Sequence, residues 1–560
     1  MAHEGTPSAK TAVKGASIVL LTLCSAQFLM TLDSSVMNVS IATVAKDVGT
    51  TVTGIQTAIT LYTLVMASLM ITGGKVGQII GRKKAFSIGC VIYGCGSFVT
   101  GLSQSLAVLM LGWSLLEGIG AALIMPAIVA LVASNFGRSE RPRAYGLVAS
   151  AGAIAVAAGP LIGGLCTTYL SWRVVFFGEV VVVGIILLIA RRMADTPAEE
   201  GVKLDLVGTL LSATGLALVV LGVLKAGSWG FVQPKEGAPE WLSLSPVIWM
   251  MLGGGLVLLG FMEWERHRLR TGQGALLDPA MFRIRQLRGG LTSFFFQFLL
   301  QAGLFFVIPL FLSVALGLSA VETGVRLLPL SITLLLAAAG IPKVWPNANP
   351  RIVTRGGFLA LFAGIVMLVG ALDAGAGAEI VTGPLLLAGL GIGALASQLG
   401  SVTVSAVSDD QAGEVGGLQN TVTNLGASIG TALAGAILIS ALTASFFSGI
   451  SNNPAVPDKL ASDAQVQLSS GVPFISDADL EAALKDAGVP PATATAVVDE
   501  NAQARIEALR TSLSVLAVIA LFALFFARGI PTVQPGAAPV AEGGDGADDE
   551  ADDEEAVDVE

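Results

Sequence analysis

The sequence is poor in charge. Asp, Glu, Lys and Arg make up 13% of its 560 residues, against roughly 25% in soluble domains, which excludes an ordinary water-soluble fold. Histidine is nearly missing: His3 and His267 both lie outside the apolar runs, so an imidazole proton relay inside a membrane is excluded and proton chemistry must use carboxylates. The four cysteines, Cys24, Cys90, Cys95 and Cys166, show neither metal-ligand nor secreted-disulfide spacing. No phosphate-cradling loop occurs. The nearest string, Gly73-Gly74-Lys75-Val76, lacks the upstream glycine and the following hydroxyl residue, so the chain does not itself hydrolyse nucleotide. With no nucleophile-base pair or ligand cluster in sight, we expect no enzyme, metal, cofactor or nucleic-acid partner.

What is abundant is apolar. Hydrophobic residues reach 53% with a mean hydropathy of +0.77, in blocks of about 20, the length of helix that crosses ~30 Å of hydrocarbon. Fourteen such spans are expected between residues 17 and 528, all helical. The first runs well beyond a signal-peptide core and is read as a span. With both termini inside, the inner segments hold 22 of the 31 Lys and Arg and the outer ones 9, as the positive-inside rule requires of an even number of spans. The net charge of -10 belongs to the end of the chain, because Glu542 to Glu560 holds eleven acidic residues and no basic one. We expect an acidic, disordered tail over 529–560. A long polar segment, 447–510, separates the last two spans, and Asp477 to Leu484 within it reads as a capped helix.

The first span places Asp33 in hydrocarbon, at about 2.5–3.5 kcal/mol if charged. Gln27, Thr31, Ser34 and Asn38 form one polar stripe, with Asp33 roughly 100° to its side. Such a stripe lines a cavity or bonds to another helix. The fourth and sixth spans add Glu117 and Glu179. Burial in low dielectric disfavours a charged carboxyl, so these three groups are proton-carrier candidates; neutral acids satisfied by neighbouring hydroxyls are the alternative. The ninth span presents Phe294, Gln297, Gln301 and Phe305 on one stripe, and the thirteenth Gln419 and Thr423, an aromatic and amide mixture that suits loosely specified organic ligands or contact with another helix.

Four strings resemble the motifs of the major facilitator superfamily, and of its fourteen-span drug:proton antiporters in particular. Gly74-Lys75-Val76-Gly77-Gln78-Ile79-Ile80-Gly81-Arg82-Lys83-Lys84 is similar to the signature cytoplasmic loop, with Gln78 where the acidic residue stands. Gly159-Pro160-Leu161-Ile162-Gly163-Gly164 resembles the exporters' helix-packing motif. Leu111 to Ala121 resembles the fourth-span motif, with Ser114 at its arginine position and Glu117 at its glutamine. Gly416 to Gly430 resembles the thirteenth span of the drug exporters.

The resemblance implies two six-helix bundles, 17–190 and 289–528, with two additional spans in a linker region 191–288 and a short inner N-terminus, 1–16. It implies a monomer in the cell membrane that exports amphiphilic drugs or toxic organic compounds by alternating access, driven by the proton gradient, with substrate between the bundles. Export of an endogenous metabolite or lipid is the alternative within that class. A non-transporting sensor or scaffold is the alternative outside it.

Overall fold

A computed structural model describes residues 9–535, apart from 51, 194–197, 199–202, 236, 374, 409–410, 468–471 and 473. Sixteen helical elements carry the fold: α1 (Ala9–Asp47), α2 (Val52–Ile80), α3 (Arg82–Gly101), α4 (Leu106–Asn135), α5 (Arg141–Tyr169), α6 (Arg173–Ala190), α7 (Leu206–Trp229), α8 (Pro246–Arg270), α9 (Arg285–Ala315), α10 (Ala320–Val344), α11 (Pro350–Ala371), α12 (Ala378–Val404), α13 (Ala412–Asn452), α14 (Asp458–Gln467), α15 (Asp477–Asp486) and α16 (Pro491–Phe526). Helix satisfies every interior backbone group within one segment, which hydrocarbon demands. Among the described residues, thirteen helices are long and apolar enough to cross a membrane. α3, the third span expected from sequence, is a helix of 20 residues that opens on Arg82-Lys83-Lys84 and is otherwise apolar or small.

In the first half α1 packs along α5, and α3 along α4 and α6; in the second, α10 lies along α12, α9 along α13, and α11 against α12 and α16. The halves meet where α5 touches α10 and α2 touches α13. The inserted pair α7 and α8 pack on each other, and α7 also reaches α2 and α13. Small residues set these approaches. A Cβ on Gly159 would overlap the Ser35 side chain, and one on Gly163 would come within 3.1 Å of Val36, so the exporter-like string is the face on which α5 meets α1. The side chain of Pro160 lies outside the described set, as does that of Asn38.

Two segments differ from expectation, whereas the polar segment 447–510 carries the capped helix expected at Asp477. The signature string is not a loop: α2 continues to Ile80, and the chain breaks only at Gly81, with φ 96° and ψ 138°. That positive φ is one a side chain resists, so glycine sets the turn and Arg82 to Lys84 open α3. Lys83 then donates to the carbonyls of Met193 (2.6 Å) and Arg191 (3.2 Å) beyond the end of α6. The polar segment 447–510 is largely helical, consisting of the end of α13, then α14, α15 and the start of α16. Arg505, 1% exposed, ties it together by donating to the carbonyl of Ile475 (2.6 Å) and pairing with Asp477. Finally, the start of the expected disordered tail is anchored. Arg351 donates to the carbonyl of Ile530 (2.7 Å), and buried Gln534 donates to Gln398 Oε1 (2.6 Å) and to the carbonyl of Ala348 (3.0 Å). The acidic run itself lies outside the described residues.

Candidate functional site

Asp33 of α1, Glu117 of α4 and Glu179 of α6 come together in the first half. One carboxylate oxygen from each lies within 4.8 Å of the others, and the residues are 0%, 0% and 2% exposed. Their hydrogen bonds come from neutral donors. Trp113 Nε1 donates to both oxygens of Asp33 at 2.9 Å, Thr100 to Glu117 at 3.2 Å and Ser97 to Glu179 at 3.0 Å. The second oxygen of each glutamate, Glu117 Oε2 and Glu179 Oε1, has no partner among the described residues. At this spacing two full charges repel by roughly 3–4 kcal/mol at an effective dielectric of about 20. No Lys, Arg or His is among their described hydrogen-bond partners to offset that repulsion if all three were ionised.

Local structure explains the convergence. The first part of α4, Met110–Glu117, is a π-helical stretch, a form that recurs at functional sites. It carries Trp113, Ser114 and Glu117 on its buried side. Glycines let α3 and α4 approach closely: a Cβ on Gly96 would fall 2.6 Å from Glu117 Cγ, and one on Gly112 2.6 Å from Thr100 Oγ1. Ser114, at the position where the resembling motif has arginine, donates instead to the carbonyl of Ala58 on α2 at 2.7 Å.

Between the halves lies a cavity of about 440 Å³. Of the residues singled out from sequence, Gln27, Thr31, Ser34, Phe294, Gln297, Gln301, Gln419 and Thr423 line it. Phe305 does not. It is one turn further along α9, past the cavity, and packs against the apolar core of the second half. Asp33, Glu117 and Glu179 are also absent from the wall, as the offset of Asp33 from the polar stripe implies. Tyr62, Met66, Tyr145, Asn420 and Asn424 complete the polar and soft part of the lining and were missed from sequence. Two of the chain's four tyrosines, Tyr62 and Tyr145, lie in this wall; their rarity was the available signal. The described wall carries no Asp, Glu, Lys, Arg or His, so it offers amides, hydroxyls and aromatic faces.

On the face where α2 ends and α13 begins, the halves are drawn tight. Lys75 Nζ lies 2.7 Å from Glu414 Oε1, with both side chains 8% exposed. Beside the pair, a Cβ on Gly74 would overlap the carbonyl of Gly413, and one on Gly417 would sit 2.6 Å from the carbonyl oxygen of Met70. Where α5 meets α10, Gly146 packs on the carbonyl of Ala338 with equal closeness. Arg141 nearby caps the end of α4, donating to the carbonyls of Ala133 (2.6 Å) and Phe136 (3.2 Å).

A sequence model described as the Major Facilitator Superfamily matches residues 23–431. Among curated proteins, the puromycin resistance protein pur8 of Streptomyces alboniger is 31% identical over 78% of this chain and 84% of its own length. The tetracenomycin C resistance and export protein of Streptomyces glaucescens is 29% identical over 75% and 76%, and the multidrug resistance protein Stp of Mycobacterium tuberculosis is 24% identical over 77% of each. Among solved structures, the human organic anion transporter MFSD10 superimposes with a TM-score of 0.55 at 13% identity, covering 93% of this chain and all of that one, a likeness of fold.

Proposed function

The chain belongs to the major facilitator superfamily, and we propose that it is a proton-coupled exporter of amphiphilic organic compounds, drugs among them, oriented with its basic face and both termini in the cytoplasm. The observation that carries this reading is the pairing of an uncharged cavity between the halves with a separate, fully buried carboxylate cluster that has no counter-cation among the described residues. A cavity of amides and aromatic faces accepts ligands of varied shape. A carboxylate cluster of this kind can take up protons on one side of the membrane and give them up on the other. Relatives named for puromycin, tetracenomycin C and multidrug resistance support an organic cargo.

Alternating access follows from the same parts. The halves rock so that the close contact of α2 with α13 around Lys75 and Glu414 forms and parts, and the cavity opens to one face at a time. An exchanger must bind cargo and proton in linked fashion, so each lowers the affinity for the other. The test is ethidium uptake by inverted vesicles with an acidic lumen, comparing this protein with Glu117→Gln. We expect uptake that collapses with the gradient and is lost in the variant. Gradient-independent uptake overturns proton coupling; no uptake by either protein turns the reading toward a single endogenous cargo.

A further inference from the structure

The cavity and the carboxylate cluster do not touch directly, and what lies between them has no role assigned so far. Tyr62 of α2 lines the cavity. Its ring stacks on Trp113 with centroids 5.1 Å apart and planes 4° from parallel. The indole of Trp113, 1% exposed and absent from the cavity wall, is the donor to both oxygens of Asp33. One continuous path thus runs from the ligand space, through two rings, to a carboxylate.

We propose that Tyr62 and Trp113 are the coupling element of this transporter, with Trp113 the positioning residue that sets whether Asp33 can hold a proton. The inference rests on the exporter reading above. An N–H shared by both oxygens suits an ionised carboxylate, whereas a protonated carboxyl turns one of its oxygens into a donor. The indole and the proton therefore compete for Asp33. A ligand lying against Tyr62 presses the stack onto Trp113, keeps the indole on Asp33 and leaves the proton to the neighbouring carboxyls and the exit route. When the ligand departs, the stack loosens and Asp33 takes a proton again. The indole N–H itself is never transferred; the mobile proton travels on the carboxyls.

The surroundings fit this role. Facing Asp33 are Trp113 and Glu117 from α4, Tyr62 from α2, Tyr93 from α3 and Glu179 from α6; no described Lys, Arg or His is among them. Tyr93 is fully buried and its hydroxyl has no hydrogen-bond partner among the described residues, so a second donor stands near Asp33 when the first moves. Trp113 and Glu117 share the π-helical stretch. A shift of that stretch moves the donor and a second proton acceptor together relative to α1, while the bond from Ser114 to Ala58 ties the same stretch to α2 and hence to Tyr62.

The test uses the purified full-length protein in detergent and weak buffer, with ethidium as the probe and a pH dye as the readout. Wild-type protein is expected to release protons as ethidium binds. Trp113→Phe keeps a ring in the stack but removes the N–H; it should bind ethidium within about threefold of wild type while proton release per bound ethidium falls at least about fivefold. Tyr62→Leu should also uncouple, and Tyr62→Phe, which restores the stacked ring, should recover release relative to Tyr62→Leu. A merely structural role would lower binding and thermal stability together and leave release per bound ligand unchanged. Release that is unchanged in both Trp113→Phe and Tyr62→Leu overturns this inference alone. No release from the wild-type protein overturns the exporter reading, and this inference with it.

Discussion

Glu414→Gln is the sharpest perturbation of the conformational cycle. The substitution keeps the shape of the side chain but leaves Lys75 facing a neutral amide in a site where it is 6% exposed. Removing one partner of a buried ion pair typically costs about 3–5 kcal/mol, because the surviving charge is left uncompensated. That cost falls only on the arrangement in which α2 and α13 are in contact. Once the halves part on this face, Lys75 is hydrated and Glu414 no longer matters to it. The equilibrium between the two arrangements should therefore move by up to about 3 kcal/mol, taking the lower figure because the pair lies at the end of a helix near water, and about 1.4 kcal/mol is a factor of ten.

The readout is access from the basic face to the cavity. In a cysteine-free background, Thr423→Cys places a thiol on the cavity wall, and a membrane-impermeant maleimide added to inverted vesicles reports how often that face is open. We expect labelling at least about tenfold faster with Glu414→Gln, and a return toward the parental rate when the charges are exchanged in the double variant Lys75→Glu with Glu414→Lys. Labelling that is unchanged by Glu414→Gln would refute the latch. So would an exchanged pair that labels as fast as the single variant, since the effect would then come from lost packing and not from the ion pair.

Other expectations test the remaining parts. Asp33→Asn should abolish gradient-driven ethidium extrusion from cells while the protein still reaches the membrane in normal amount; extrusion at the wild-type rate would remove Asp33 from the mechanism. Gly417→Val should drive a side chain into the Met70 carbonyl, cost about 1–3 kcal/mol in the arrangement closed on the basic face, and speed labelling of the same cavity thiol, whereas unchanged labelling would mean the helices do not close there. Gly81→Ala forces a side chain to adopt φ 96° and should cost about 1–3 kcal/mol, read as a lower thermal unfolding midpoint of the purified protein, with no change if the turn relaxes freely.

What could be read from sequence divides along physical lines. The spans, their number and the stripe of Gln27, Thr31 and Ser34 were legible because each depends on periodicity within one helix. Even the separation of cavity from carboxylate was latent in α1: Asp33 stands about 100° from that stripe, and in the fold the stripe faces the cavity while Asp33 faces Trp113. Phe305 shows the limit of the same reasoning, since a stripe continues along a helix after the cavity beside it has ended. Contacts between helices were not legible. Lys75 and Glu414 are 339 positions apart, and neither looked unusual in a chain with other charges at its span ends. Trp113 read as one more apolar residue, because its importance depends on glycines at 96 and 112 that bring α3 and α4 together and on a π-helical stretch that no residue pattern announced. The three carboxylates were visible singly; that they share one site follows only from α1, α4 and α6 meeting at one depth. Because the cavity and the carboxylate cluster meet different sides of α1, altering the amides of the wall should change which compounds are carried, and altering the cluster should change whether any compound is driven. Substitutions at Tyr62, which lines the cavity and stacks on Trp113, should do both.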